Sequence, residues 1–250
     1  MQPQKWLALE TSTDTLSLAV ARGNQIWTHT GAGGAHTSAT MLPQSLALLS
    51  QANLTLHELD AVVFGRGPGA FTGLRTSCAV AQGLAFGASL KVLPIDTLLA
   101  VAEEARFSVS QSSPASAPPT VTRVLSVIDA RMDQLYVAAY EYTAAGDWVE
   151  VQAAELQSPE ALRWPEAWAA NSFIAAGNAW QIDAQRWPAQ FVAQRVHTLP
   201  TAAALVRLAP RAMASGQAVL PEHALPLYVR DKVAQTTEER LQEKTKNLAL

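Results

Sequence analysis

The glycine-rich run at residues 65–73, GRGPGAFTG, has the clearest potential for chemistry in this chain. Three glycines and a proline within five residues impose an unusual backbone path between an apolar strand and a following helix. Backbone amides at the start of such a helix can bind an anion. The Gly-Lys-Ser/Thr of a Walker loop is missing, so the local sequence favours the alternative, a tight strand-to-helix turn without a ligand.

Histidine spacing bears on metal chemistry. A helical metal site of the His-x-x-x-His type needs two imidazoles four residues apart on one helix face. The five histidines stand at positions 29, 36, 57, 197 and 223. No pair has that spacing. The only cysteine, Cys78, is best interpreted as a small buried apolar residue. We therefore expect no metal site and no intrinsic cofactor.

Composition limits the remaining functions. The 250 residues are 49% apolar, enough for one large or two small domains with packed cores. A formal net charge of −3 excludes a strongly basic nucleic-acid binder, and a single cysteine excludes an internal disulfide. The N-terminal residues lack the apolar stretch of a signal peptide, and residues 76–90 are too short and polar to span a bilayer. We expect a cytoplasmic protein with no membrane association.

The elements that position the glycine run follow a regular order. Period-two alternation of leucines predicts two strands before residue 21, and Gly23-Asn24 joins a third as a hairpin. Helices are predicted at residues 38–51, 72–87 and 97–106, separated by strands at 61–64 and 92–95. In the first helix, Leu42, Leu46 and Leu49 share a face, and Pro43 either kinks the helix or begins it. This order is typical of a ribonuclease-H-like α/β layer.

A second half repeats the pattern after a Ser/Pro/Ala-rich, linker-like loop at residues 111–119. Strands are predicted at 124–128, 135–142, 148–151 and 173–176. A helix is expected from Ser158, and another at 199–216 with Thr201 as its cap. We predict domains at residues 1–107 and 108–232, followed by a charged tail at 233–250. The tryptophans at 164, 168, 180 and 187 are interpreted as packing residues of the second domain.

The two halves are related by a shift of 119 residues. Glu10 then coincides with Asp129, each an acid at the end of a strand, and Leu16 coincides with Leu135. Two stacked ribonuclease-H-like domains form the architecture shared by actin, sugar kinases and heat-shock ATPases. The predicted fold class is therefore α/β with two such domains.

Several motifs resemble the TsaB family, also called YeaZ. GRGPGAFTGLR at residues 65–75, followed by AQGLA at 81–85, is similar to the family signature. Four further segments resemble parts of the family and follow the family's order along the chain: ALETST at 8–13, HTSATMLP at 36–43, IDARM at 128–132 and PLYVR at 226–230. The resemblance extends from residue 8 to residue 230.

The resemblance implies a non-catalytic subunit for threonylcarbamoyl transfer to tRNA adenosine beside the anticodon. Such a subunit forms a heterodimer with a TsaD homologue and is joined by a TsaE homologue. ATP and metal are then expected on those partner subunits, and tRNA contact only through the complex. The sequence leaves open whether the isolated chain is a monomer or a homodimer. The alternatives are a nucleotide-binding kinase or ATPase of the same architecture and, less favoured, a metal-dependent glycoprotease-like hydrolase.

Two groups of residues are candidate sites, and neither is catalytic. A small-residue face of the second helix is the expected partner-binding surface, because small side chains let another helix approach closely; it comprises Gly73, Thr76, Ser77, Val80, Gly83 and Gly87. A vestigial nucleotide or phosphate site is the other candidate, at Glu10, Thr11, Gly67 and Gly69. Glu10 replaces the aspartate usual in the family, which places tight magnesium chemistry in doubt. Asp129 is expected either to face the interdomain cleft or to pair with Arg131.

Overall fold

The computed structural model describes residues 4–34, 37–112 and 122–230 of the chain. Within these ranges there are ten strands and four α-helices, with short 3-10 turns between them. The strands are β1 (Lys5–Glu10), β2 (Thr15–Arg22), β3 (Gln25–Ala32), β4 (Ala61–Gly67), β5 (Lys91–Asp96), β6 (Thr122–Arg131), β7 (Gln134–Tyr142), β8 (Trp148–Gln157), β9 (Ile174–Gly177) and β10 (Gln194–His197). The helices are α1 (Thr37–Gln51), α2 (Phe71–Ala88), α3 (Thr97–Ser112) and α4 (Ala202–Ala214).

Two five-stranded mixed sheets repeat one topology. The first sheet has the order β3-β2-β1-β4-β5, and the second has β8-β7-β6-β9-β10. In each, the first three strands form an antiparallel meander, and two parallel strands follow on the other side of the first. The structure thus confirms an α/β fold and a repeated strand order, which the 119-residue shift had predicted from a few positions.

The helices differ between the two halves and cross from one to the other. α1 and α2 cover one face of the first sheet, where Leu7, Leu18 and Phe64 are buried. The other face is covered by α4, which comes from the end of the chain. α3 packs on the second sheet, against Val124 and Tyr140. Because α3 and α4 also contact each other, they form a layer between the sheets.

Aromatic side chains from irregular segments cover the outer face of the second sheet. Trp168 and Trp187 are almost fully buried there, and the rings of Trp164 and Phe173 pack beside them with centroids 5.7 Å apart. These large rings take the position that α1 and α2 have on the first sheet. The prediction that these tryptophans are packing residues is confirmed.

Local predictions have mixed outcomes. The helix expected from Ser158 is wrong: only the single 3-10 turn Pro159–Ala161 forms there, and the chain leaves it at Leu162. α1 runs through Pro43 and begins at Thr37. The N-cap of α4 is Thr201 as predicted, and its hydroxyl oxygen accepts a hydrogen bond from the Ala204 amide at 3.0 Å.

The predicted domain boundaries stay predictions. Residues 111 and 112 of the expected linker belong to α3, whereas 113–119 and the tail at 233–250 lie outside the described residues. Of the described helices, none combines the length and apolar character needed to cross a bilayer.

Candidate functional site

The turn after β1 holds a buried acid. Glu10 is 1% exposed, and its Oε1 accepts a hydrogen bond from the Ser12 amide at 2.6 Å. Its Oε2 has no hydrogen-bond partner among the described residues. Burial raises the pKa of Glu10, against the opposing effect of the hydrogen bonds from Ser12. The side chain of Glu10 is therefore enclosed by the protein and lies against Gly65.

The glycine-rich run packs against the chain's own backbone. A Cβ on Gly73 would lie 1.8 Å from the Thr11 carbonyl oxygen, and one on Gly69 would lie 2.5 Å from the Ser12 Cβ. Gly67 has a φ of +114°, and a Cβ there would lie 2.7 Å from a backbone oxygen of the C-terminal segment. These glycines are required by close approach between segments of this chain.

Of the residues of the expected phosphate site, Thr11 and Gly69 lie in segments that pack against each other, and Gly67 contacts Leu74 and the C-terminal segment, so the close contacts are made within the protein. Thr11 illustrates this, because its hydroxyl donates to the Gly73 carbonyl at 2.8 Å. Whether a phosphate binds near them stays a prediction.

A small polar cleft lies beside this turn, between the end of β1 and the end of β6. Its volume is about 120 Å³, below the 300–1,000 Å³ typical of small-molecule sites. Arg131 pairs across the cleft with Asp14 and also lies 3.6 Å from Asp129. Asp129 both lines the cleft and pairs with Arg131, so the two expectations for it hold together. The Arg131 guanidinium thus already forms ion pairs with two carboxylates of this chain.

Groups that could act as ligands or nucleophiles are scattered. Within residues 4–34, 37–112 and 122–230, no three His, Cys, Asp or Glu side chains come together as a metal site would require. His36 lies outside the described residues. Cys78 is buried, its thiol donates to the Ala224 carbonyl at 3.3 Å, and burial raises its pKa. The interpretation of Cys78 as a packing residue is confirmed.

The expected partner-binding face of α2 is only partly at the surface. Ser77 is fully buried, and its hydroxyl donates to the Leu74 carbonyl at 3.2 Å. Gly73 meets Thr11. These two residues are corrected to internal packing positions, because both lie on the side of α2 that approaches the β1 turn. Thr76 and Val80 are half-buried, and Gly83 and Gly87 are exposed, with open space around each glycine.

Helices α1 and α2 also carry exposed apolar side chains. Leu49 of α1 is buried, but Leu42 and Leu46 are 43% and 49% exposed, so the three do not share one buried face. Phe86 of α2 is 79% exposed and was missed. It follows the buried Ala85, one position out of phase with the buried face, which is the signal that would have identified it.

We call these residues together the helix-pair surface, since α1 and α2 lie side by side on the same face of the first sheet. Its members are Leu42, Leu46, Thr76, Val80, Gly83, Phe86 and Gly87.

Sequence comparison identifies similar proteins over most of the chain. Residues 21–248 match the model of the family described as TsaD, tRNA N6-adenosine threonylcarbamoyltransferase. The tRNA threonylcarbamoyladenosine biosynthesis protein TsaB of Escherichia coli K12 is 30% identical, over 91% of this chain and 95% of that protein. The protein of the same name from Haemophilus influenzae is 32% identical, over 93% and 96%.

Structure comparison agrees. The structure of YeaZ from Pseudomonas aeruginosa superimposes with a TM-score of 0.78 and 34% identity, covering 90% of this chain and 99% of that one. Another Pseudomonas aeruginosa structure, described as similar to peptidase YeaZ, has a TM-score of 0.79 and is covered completely. The similarity therefore spans both sheets and not one domain alone.

Proposed function

Because the chain belongs to the TsaB (YeaZ) proteins of the TsaD family, we propose that it is a non-catalytic subunit for threonylcarbamoyl transfer to tRNA adenosine. In this role the chain acts by contact. It binds a TsaD homologue through the helix-pair surface, and a TsaE homologue joins the assembly. ATP and metal belong to those partners, and tRNA is reached through the complex.

The observation that carries this proposal is the composition of the helix-pair surface. Arg75 is the only charged residue in α1 and α2, although both helices lie at the outside of the first sheet. Helices that face water normally carry charged side chains on their outer face, and depletion of charge is typical of the centre of a protein interface. Phe86, Leu42 and Leu46 add exposed apolar area to a face of small residues.

The interdomain cleft supports a role without chemistry of its own. Glu10 is buried, and the Arg131 guanidinium is matched by two carboxylates. A triphosphate carries several negative charges and needs unpaired cationic groups or a bound metal. The kinase or ATPase alternative therefore gains no support from this cleft.

The repeated sheets with helices between them support the actin, sugar-kinase and heat-shock ATPase architecture as the fold of this subunit. The assembly belongs in the cytoplasm, where tRNA is modified. In isolation the helix-pair surface is available to a second copy of the chain, so a homodimer through the same helices is part of the proposal.

Binding of the purified chain to the TsaD homologue of the same organism, measured by calorimetry, tests the proposal. Phe86→Asp puts a charge at the helix-pair surface, and we expect it to weaken binding by about tenfold or more because that charge must be desolvated. Val192→Asp is the matched control, since Val192 is also exposed, at 64%, but lies in the second domain.

Three outcomes contradict the proposal. One is no binding to the TsaD homologue. The second is equal weakening by Phe86→Asp and Val192→Asp. The third is ATP turnover by the chain alone at about 1 per second or faster, a rate typical of enzymes.

A further inference from the structure

The last described segment of the chain runs from the core of the first sheet to that of the second. We call residues 224–230 the C-terminal strap. Ala224 belongs to the core beneath α1 and α2, and Val229 packs against the core cluster of the second sheet. Between them, the Leu227 amide donates to the Arg66 carbonyl of β4 at 2.7 Å. The strap therefore joins the two sheets in addition to the layer formed by α3 and α4.

The strap contacts α2 along one stripe of the helix. The Ala224 carbonyl accepts hydrogen bonds from the Cys78 thiol at 3.3 Å and from the Gln82 side-chain amide at 3.0 Å. Further along, the Tyr228 hydroxyl accepts a hydrogen bond from Arg75 Nε at 3.1 Å, and its ring packs against an aromatic ring of the first turn of α2 with centroids 5.4 Å apart. The four contacting residues of α2 follow each other at spacings of four, three and four: Phe71, Arg75, Cys78 and Gln82.

This stripe differs from the part of α2 that we assign to the partner. At about 100° per residue, the stripe is centred roughly 140° around the helix from Thr76, Val80, Gly83 and Gly87. Phe86 lies between the two groups. A partner that binds the small residues therefore has no need to touch the strap, which holds α2 from another side.

The other end of the strap is anchored at the turn between β6 and β7. Arg230 Nη2 donates to Gln134 Oε1 at 2.7 Å and to the Arg131 carbonyl at 3.2 Å. Arg131, Met132 and Asp133 have φ values of +61°, +55° and +56°, a left-handed conformation that costs free energy in residues other than glycine. Arg230 thus binds a turn that needs such contacts, and the same turn carries the arginine that pairs across the small polar cleft.

We propose that the C-terminal strap positions α2 for partner binding, with Arg230 and Gln134 as its anchor on the second sheet. Both are positioning residues, because neither belongs to the helix-pair surface. A helix that is loosely held must be ordered when a partner binds, and this ordering lowers affinity. The inference rests on the proposed function for the identity of the partner, whereas the hold on α2 is a property of the isolated chain.

Hydrogen exchange of the full-length chain without any partner tests the hold on α2. Gln134→Ala removes an acceptor of Arg230 in β7, on the second sheet. We expect the backbone amides of residues 75–85 to exchange about two- to tenfold faster, the effect of losing one net hydrogen bond, while the amides of α4 keep their native rates. Gln152→Ala is the matched control, because Gln152 is also half-buried in the second sheet and its side-chain amide donates to Glu155 at 2.8 Å.

A second variant tests whether the two anchor residues act through one contact. Arg230→Ala removes both anchoring hydrogen bonds and should accelerate exchange in α2 more than Gln134→Ala does. The double variant should exchange no faster than Arg230→Ala alone, because the substituted residues share that contact. In calorimetry, Arg230→Ala should also lower the affinity for the TsaD homologue by about threefold or more.

The outcomes separate this inference from the proposed function. Native exchange rates in α2 for both anchor variants overturn the strap proposal, and so do equal effects of Gln134→Ala and Gln152→Ala. Faster exchange in α2 together with native affinity of Arg230→Ala for the TsaD homologue also overturns it, because α2 would then need no positioning. Failure of the native chain to bind the TsaD homologue contradicts the proposed function instead, and the exchange rates still decide whether the strap holds α2.

Discussion

The carboxylate of Glu10 fills the space beside Gly65: a Cβ on Gly65 would lie 1.9 Å from Glu10 Oε2. The parallel pairing of β1 with β4 ends at Leu9 and Phe64, so the absence of a side chain at position 65 leaves room for the Glu10 carboxylate beside β4. This pairing of a glycine with an acid explains why Glu10 is buried, and it leads to the first prediction.

Glu10→Gln should become more stabilising, relative to the native protein, as the pH rises. The raised pKa of Glu10 means that folding favours its protonated form. Below the ordinary value of 4.5 the acid is neutral in both states. Above it, the unfolded chain releases the proton first, so native stability falls until the pH passes the raised pKa. Each unit by which the pKa is raised costs about 1.4 kcal/mol at high pH.

Denaturant unfolding of both proteins between about pH 2.5 and pH 8 measures this effect. Glu58→Gln is the control of opposite sign, because hydrogen bonds from Thr55 lower the pKa of Glu58. Loss of the Glu58 carboxylate in this variant should destabilise the protein near neutral pH and have little effect in acid. A constant difference between Glu10→Gln and the native protein across this range would contradict the burial of a proton-binding Glu10.

Gly73→Ala should destabilise the fold, whereas Gly83→Ala in the same helix should stabilise it. The added methyl group at position 73 would meet the Thr11 carbonyl oxygen, and such overpacking costs about 1–3 kcal/mol or more. At position 83 there is open space, so alanine contributes its helix propensity of about 0.5–1 kcal/mol. Thermal and denaturant unfolding compare the two. Equal effects would show that the contact between α2 and the β1 turn is not tight.

Tyr140→Phe should leave the free energy of unfolding unchanged or raise it by up to about 1 kcal/mol, because the deleted hydroxyl has no hydrogen-bond partner in the part of the chain that the structure describes. Ser126→Ala is the contrasting variant: the buried Ser126 hydroxyl donates to the Leu98 carbonyl at 2.7 Å. Loss of this buried hydrogen bond should cost about 0.5–1.5 kcal/mol. If Tyr140→Phe destabilised the protein as much as Ser126→Ala, the Tyr140 hydroxyl would have a partner in the folded state.

Val80→Trp and Thr76→Trp should each lower the affinity for the TsaD homologue by about ten- to a hundredfold. Both side chains are half-buried on the helix-pair surface, and a large ring there prevents close approach of a partner helix. A homodimer through the same face should weaken in parallel, as measured by sedimentation. Unchanged affinity for both variants, with an intact circular dichroism spectrum, would remove this part of α2 from the interface.

Much of the fold follows from local patterns. Alternating leucines predicted the strands around Leu9 and Leu18, and the cap at Thr201 predicted the start of α4. Both depend on interactions within a few residues, such as the hydrogen bond from the Ala204 amide. The helix expected at Ser158 fails for the opposite reason. Its cap and proline are typical of a helix start, but the tryptophan-rich segment that follows is used to cover the second sheet.

The sequence by itself determined the repeated strand order, the TsaB-like glycine motif and the lack of a His-x-x-x-His pair, because each depends on residue types at short spacing. Tertiary structure alone decided that Gly73 meets Thr11, that Leu46 faces outward and that the Tyr140 hydroxyl has no hydrogen-bond partner among the described residues. Helical periodicity shows which residues share a face but not which face a distant segment covers. That choice depends on contacts between residues far apart in the chain, as when α4 packs on the first sheet and α3 on the second.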